Sequence, residues 1–199
     1  MKSGASVVLA TGNAGKVREF NRLLAGAFEV RPLPAGVALP AETGDTFVAN
    51  ARLKAQSAFD ALGGDQAVLA DDSGLEVAAL GGRPGIFSAR FAGEGASDAD
   101  NVAKLLRELS AASDRSARFV CALCLILPPS RMTEVEGVTK GSITLAPRGE
   151  DGFGYDPVFQ PEGWEATLAE ASPEDKDRVS HRGAAARALL DHLARQGGV

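Results

Sequence analysis

Apolar residues fall along this chain in short unbroken runs and in stripes at helical spacing. Val7-Val8-Leu9 is the first run. The stripe Val17, Phe20, Leu23 and Leu24 then predicts a helix over about 16–24 with Gly26 as its stop. A strand leads on to Pro32 and Pro34. Phe47, Ala51, Ala55, Ala58 and Phe59 predict a helix that begins near Asp45 or Thr46 and ends at Gly63-Gly64. Ala67-Val68-Leu69-Ala70 reads as a short buried strand running straight into Asp71-Asp72-Ser73-Gly74, where the glycine allows a sharp turn. Gly81-Gly82-Arg83-Pro84-Gly85 is a long turn. Ser97, with Asp100 three positions on, caps a helix through Val102, Leu105, Leu106 and Leu109. The longest apolar run, Phe119 to Leu127, ends at Pro128-Pro129, and the polar stretch Arg131 to Gly141 reads as an edge strand before Ile143 and Leu145. Ser172, Pro173, Glu174 and Asp175 open a last helix with Val179, Ala186, Leu189 and Leu193 on its inner face.

With 199 residues the chain can bury a sizeable core and fits a single domain over 1–199, with room for two lobes. A net charge of −5, with lysines and arginines scattered singly, speaks against a nucleic-acid polymer as partner and fits a grip on one small polyanion. Met1 to Ala5 lacks a secretory pattern and no run of about 18 apolar residues occurs, so a soluble, cytoplasmic protein without membrane contact is expected. Cys121 and Cys124 lie inside the longest apolar run and read as core packing. With only His181 and His192 beside them, a zinc cluster is disfavoured, and a hard cation on carboxylates, Mg²⁺, is the metal to expect.

The candidate chemistry sits at five places. Ala10-Thr11-Gly12-Asn13-Ala14-Gly15-Lys16 is either an ordinary strand-to-helix turn or an anion cradle, where backbone N–H groups, a helix start and a lysine converge. It is no Walker A loop, because Ala10 and Val17 stand where that motif needs Gly and Ser or Thr. Asn50 and Lys54, four apart on a predicted helix, share a face, and a solvated pair is the plainer reading beside a second reach toward phosphate. Asp71-Asp72-Ser73-Gly74 is either a metal or general-base position or an Asx-type turn. Gly152-Phe153-Gly154-Tyr155-Asp156-Pro157 either displays rings for stacking on a flat ligand or anchors a loop in the core. Lys176, Ser180, His181 and Arg182 fall near the start of the last helix, where cations oppose its dipole, so their placement points toward function.

Taken in order, Thr11-Gly12-Asn13-Ala14-Gly15-Lys16, Glu42-Thr43-Gly44, Ala70-Asp71-Asp72-Ser73-Gly74, Pro84-Gly85-Ile86-Phe87-Ser88-Ala89-Arg90, Phe153-Gly154-Tyr155-Asp156-Pro157 and Ser180-His181-Arg182-Gly183 closely resemble the inosine/xanthosine triphosphate pyrophosphatase family. The resemblance spans nearly the whole chain. It implies an α/β fold, a twisted mixed β-sheet flanked by helices in two lobes with a central active-site cleft, and a homodimer. It also implies Mg²⁺-dependent hydrolysis of ITP, dITP and XTP to the monophosphate and pyrophosphate. On this likeness Thr11, Gly12, Asn13, Ala14, Gly15 and Lys16 hold the triphosphate with help from Lys54. Asp72 is general base and metal ligand, Asp71 its support and Ser73 a substrate contact. Phe153 stacks on the base within a binding stretch of Phe153, Gly154, Tyr155 and Asp156. Lys176, His181 and Arg182 close over the nucleotide, with Arg182 donating to the C6 oxygen. Many members carry tandem acids before Thr-Gly, the first a metal ligand; here Ala41 stands in that place, so Glu42 takes the role or water fills it. Two rivals are a Maf-like pyrophosphatase, opposed by the Ser-His-Arg-Gly and Phe-Gly-Tyr-Asp segments, and a nucleotide sensor, opposed by Asp72 beside Asp71.

Overall fold

The computed structural model describes residues 4–197. Met1 to Ser3, part of the stretch read for a secretory pattern, lie outside the described residues, as do the last two residues of the 1–199 domain. The strands are β1 (Ala5–Leu9), β2 (Phe28–Pro32), β3 (Val68–Val77), β4 (Ser116–Leu127), β5 (Arg131–Ile143) and β6 (Phe159–Pro161). The α-helices are α1 (Ala14–Leu23), α2 (Phe47–Ala61), α3 (Asp98–Glu108), α4 (Pro173–Val179) and α5 (His181–Arg195). One sheet runs in the order β2-β1-β3-β4-β5-β6. It is mixed, as expected: β1 pairs in parallel with β2 and β3, whereas β5 and β6 are antiparallel. No helix among the described residues is long and apolar enough to cross a membrane.

The chain divides into two compact units. The first comprises the described residues up to Asp72, Cys121–Gly137 and those from Arg182 onward; the second comprises Ser73–Val120 and Val138–His181. In the first, odd-numbered strand residues Val7, Leu9, Leu69 and Leu123 share a core with Phe20 of α1 and Leu189 of α5. Successive strand side chains alternate, so the buried Val8, Val68 and Ala70 turn to the opposite face. Asp71 continues the odd series and Asp72 the even one. Leu69 is wholly buried, and its truncation to alanine would cost about 2–5 kcal/mol. The second unit packs Leu75 and Val77 of β3 against Leu105 and Leu109 of α3, with Tyr155 and Phe159.

Local signals account for most boundaries. Asn13 caps α1, which therefore starts two residues before Lys16, and Thr46 caps α2 through the Ala49 N–H. Ser97 and Asp100 form a reciprocal capping box on α3. Cys121 and Cys124 are both buried and free, and burial pushes the Cys124 thiol up to about 12, so both serve the core as expected.

Two expectations are corrected, and the extent of a third is set. The strand beginning near Ala67 does not turn at Gly74: β3 runs on to Val77, and Asp71 and Asp72 lie buried within it. Long-range cationic partners, Lys16, Lys54 and Arg182, make burial of the two acids possible and rule out the Asx-type turn. The edge expected over Arg131 to Gly141 is covered by the three-residue β6 only from Gly141 onward, where β6 pairs with the last residues of β5. Gly141 permits the close approach, since a Cβ there would collide with the Gln160 carbonyl oxygen and the Phe159 ring. Finally, the last helix is two helices, broken at Ser180, whose φ of −71° and ψ of 157° are extended. Lys176 consequently sits in the last turn of α4, where the dipole favours a cation, so the dipole conflict inferred for it disappears.

Candidate active site

The glycine-punctuated turn after β1 is organised by Asn13. Its Oδ1 accepts from the Gly15 N–H at 2.8 Å and the Lys16 N–H at 3.2 Å, while the Asn13 N–H donates to Thr11 Oγ1 at 3.2 Å. Gly12, Asn13 and Ala14 are exposed at this helix start. Lys16, one turn in, reaches β3 and places Nζ 2.7 Å from Asp71 Oδ2. The Arg182 guanidinium comes to the same oxygen at 3.9 Å through Nε and donates through Nη1 to Glu19 Oε2 at 3.2 Å. Burial alone would push the Asp71 carboxyl up, but Lys16, Arg182 and Lys54 outweigh it and hold the group below the usual carboxylate range. Asp71 is thus a fixed anion that gathers cations.

Asp72 has a different environment, supplied by α2. Asn50 Nδ2 donates to Asp72 Oδ2 at 3.0 Å, and Lys54 Nζ lies 3.5 Å from Oδ1. The same ammonium stands 2.5 Å from Glu42 Oε1. Asn50 and Lys54 are buried, so the solvated-pair reading of their helical spacing is corrected. Lys54 holds its proton more tightly than an ordinary lysine: burial opposes this, and Asp71, Asp72 and Glu42 overcome it. For Asp72 the balance tips the other way. Burial and the charge of Glu42 raise its carboxyl above the ordinary value against the pull of Lys54, Asn50 and Lys16. A carboxylate with raised basicity, held by a neutral donor and a lysine, suits proton abstraction from water.

A second group of expected site residues lies wholly within the second unit. Asp156 is buried, and its Oδ2 accepts both the Phe153 N–H at 2.9 Å and the Lys176 ammonium at 2.7 Å. Lys176 Nζ also lies 5.1 Å from the centre of the half-buried Phe153 ring. The Gly154 N–H donates to Asp98 Oδ2 at 2.7 Å. Ring display and core anchoring divide between two residues here: Phe153 stays partly open, whereas Tyr155 is buried and donates its hydroxyl to the Ser88 carbonyl at 2.9 Å. His181 is buried and stacks on Phe119, ring centres 4.5 Å apart at 10°. Ser73, the next residue of β3 after Asp72, is half-buried.

The first unit therefore brings together Lys16, Glu42, Lys54, Asp71, Asp72 and Arg182, and the second Phe153, Asp156 and Lys176. Glu19 and Asp98 escaped the sequence reading because nothing local distinguishes them from solvated helix acids. Ser88 was visible only as a member of the segment from Pro84 to Arg90. Fold and charged cluster together define an α/β protein with a largely buried network in which Lys16, Lys54 and Arg182 meet the carboxylates of Glu19, Glu42, Asp71 and Asp72.

Residues 7–192 match the model of the Ham1 family. A dITP/XTP pyrophosphatase from Geobacillus kaustophilus is 52% identical over 181 residues, 88% of each chain. One from Thermosynechococcus vestitus is 48% identical over 191 residues, 95% of each chain. Among solved structures, the Ham1 protein of Staphylococcus aureus superposes with a TM-score of 0.84 at 40% identity, covering 96% of this chain and 99% of that one. The chain belongs to the Ham1 family.

Proposed function

We propose that this protein hydrolyses deaminated purine nucleoside triphosphates, ITP, dITP and XTP, to the monophosphate and pyrophosphate, which keeps them out of DNA and RNA. Relatives of the same family bear the name dITP/XTP pyrophosphatase. The observation that carries the chemistry is the raised Asp72 carboxyl held between Asn50 and Lys54. Asp72 takes a proton from the attacking water, whose oxygen bonds to the α-phosphorus as the α–β phosphoanhydride bond breaks, and pyrophosphate leaves with the electron pair of the broken bond. Lys16 and Lys54 hold phosphate charge beside the loop of Thr11, Gly12, Asn13, Ala14 and Gly15, where they stabilise the charge that develops. Asp71 keeps Lys16 in place, and Ser73 contacts substrate.

The donor set suits Mg²⁺. Glu42 and Asp72 offer hard oxygens close enough to share one ammonium, and the charge of Glu42 destabilises the Asp72 anion in a way a cation relieves. Glu42 and Asp72 would hold the metal, with no contribution from Ala41. When bound it neutralises phosphate charge and polarises a phosphoryl oxygen.

Phe153 stacks on the base, in a stretch that Gly154, Tyr155 and Asp156 shape and that Lys176 and His181 complete. Arg182 donates to the C6 oxygen in exchange for its contact with Glu19, and such a donor meets the 6-amino group of adenine unfavourably. The chain works as one domain over 1–199, as a cytoplasmic homodimer, with no nucleic-acid polymer or membrane as partner.

Pyrophosphate release from ITP, XTP, ATP, GTP, dTTP and UTP, with Mg²⁺ and with chelator, tests this reading. Release from ITP and XTP far above ATP and GTP, abolished by chelator, is expected. Preference for the pyrimidines would move the assignment to a Maf-like activity, and tight binding without turnover to a sensor.

A further inference from the structure

Asn50 lies on α2 with its side chain shielded completely from solvent, 0% exposed. A buried carboxamide must place both of its ends, and this one does so on two segments of the site. Its Oδ1 accepts from the Gly44 N–H at 2.7 Å, and its Nδ2 donates to Asp72 Oδ2 at 3.0 Å. The chemistry fixes the orientation: a backbone N–H needs an acceptor and a carboxylate needs a donor, so only one of the two amide flips satisfies both. Gly44 lacks the Cβ that would stand 2.8 Å from Asn50 Oδ1 and 2.8 Å from Ala49 Cβ, so the loop can close onto the amide. One helical turn on, Lys54 makes a parallel link by bonding Glu42 and facing the other oxygen of Asp72. The segment Glu42-Thr43-Gly44 is therefore tied to Asp72 twice, once through a charge and once through a neutral amide.

We infer that Asn50 is a positioning residue for the hydrolysis, fixing the Asp72 carboxylate in rotation and in distance from the Glu42–Gly44 segment. The inference rests on the reading of Asp72 as general base. A salt bridge alone is non-directional and tolerates rotation of the carboxylate; the amide donor selects one oxygen and leaves the other facing Lys54. No apolar residue can replace it, and aspartate keeps only the acceptor for Gly44 while setting a second carboxylate against Asp72.

Steady-state kinetics on ITP with Mg²⁺ for the parent protein, Asn50→Asp and Asn50→Ala, each checked by thermal melting, tests the role. In both variants kcat is expected to fall by about 10²-fold, the scale of a misplaced reacting group, with KM within about threefold of the parent. Asn50→Ala opens a buried gap and risks misfolding, so the isosteric Asn50→Asp carries the decision. A folded Asn50→Asp with kcat within about threefold of the parent, or one that raises KM alone, would show that only the Gly44 acceptor matters and overturn the inference. A parent protein inactive on ITP overturns the proposed function and the role of Asn50 with it, whereas an active parent beside an unimpaired Asn50→Asp overturns the role of Asn50 alone.

Discussion

Lys54 Nζ stands 3.5 Å from Asp72 Oδ1 and 2.5 Å from Glu42 Oε1, so one ammonium separates two carboxylates. Replacing it by the uncharged Lys54→Met removes the one charge that those two anions share. Removal of a positive neighbour favours the protonated form of Asp72, whose carboxyl is already raised, so the acid limb of the kcat profile is expected to move to higher pH. At neutral pH the loss of one positioned cation should lower kcat by about 10²-fold. A pH–rate profile on ITP checks both; an unmoved acid limb would remove Lys54 from the environment of the base.

The Asp71 carboxylate gives a stability signature of opposite sign. Its value is depressed in the folded protein, so the stabilisation is complete above the unfolded value of about 3.9 and is lost as pH falls through the folded one. Asp71→Asn leaves Lys16 and Arg182 without their shared anion, at a cost of about 3–5 kcal/mol near neutrality. Urea denaturation at pH 7 and pH 3 should show a deficit that shrinks in acid. A deficit that stays constant would mean packing, and not charge, holds this position.

Phe153 should separate binding from chemistry. Base stacking on an aromatic ring contributes about 1–3 kcal/mol, so Phe153→Ala is expected to raise KM for ITP by roughly 5- to 150-fold while kcat changes less. The Asp156 to Lys176 ion pair survives loss of the ring, and the cation–π contact that Lys176 gives up contributes about 0.5–1 kcal/mol, so the melting temperature should fall only slightly. A fall confined to kcat would place Phe153 outside base recognition.

Gly152 tests the support of that ring. Its φ is +80°, and a Cβ would collide with Asp156 Oδ2, the oxygen that holds both the Phe153 N–H and Lys176. Gly152→Ala should therefore lose about 1–2 kcal/mol from backbone strain alone and weaken ITP binding as Asp156 shifts. Differential scanning calorimetry and KM together decide; lowered stability with unaltered KM would uncouple Asp156 from the nucleotide.

What the sequence disclosed follows the range of each interaction. Caps such as Ser97 with Asp100 act over three residues, and the apolar stripe of α1 acts over one helix, so both were readable in place. The course of β3 was not. Gly74 after two acids suggests a strand end, and only Lys16, Lys54 and Arg182, brought from distant parts of the chain, let Asp71 and Asp72 stay buried inside the strand. The break at Ser180 escaped for a related reason, since the residues on either side of it are ordinary helix formers. Lys16 was legible because a lysine where a glycine-punctuated turn meets a helix start reads as part of an anion cradle, whereas Asn50 declares its role only once Gly44 and Asp72 stand at its two ends.

Because β3 presents Leu69 and Asp71 toward α1 and α5, and Asp72 toward α2, the strand keeps a reading frame of its own. One codon inserted between Val68 and Asp71 would carry Asp71 into the place of Asp72, facing Asn50, and move Asp72 one residue further along the opposite face, past the position that meets Lys16. The product would keep every residue of the parent, and its defect would be one of phase. In this segment length is under tighter restraint than identity, and gaps should be rarer here than substitutions.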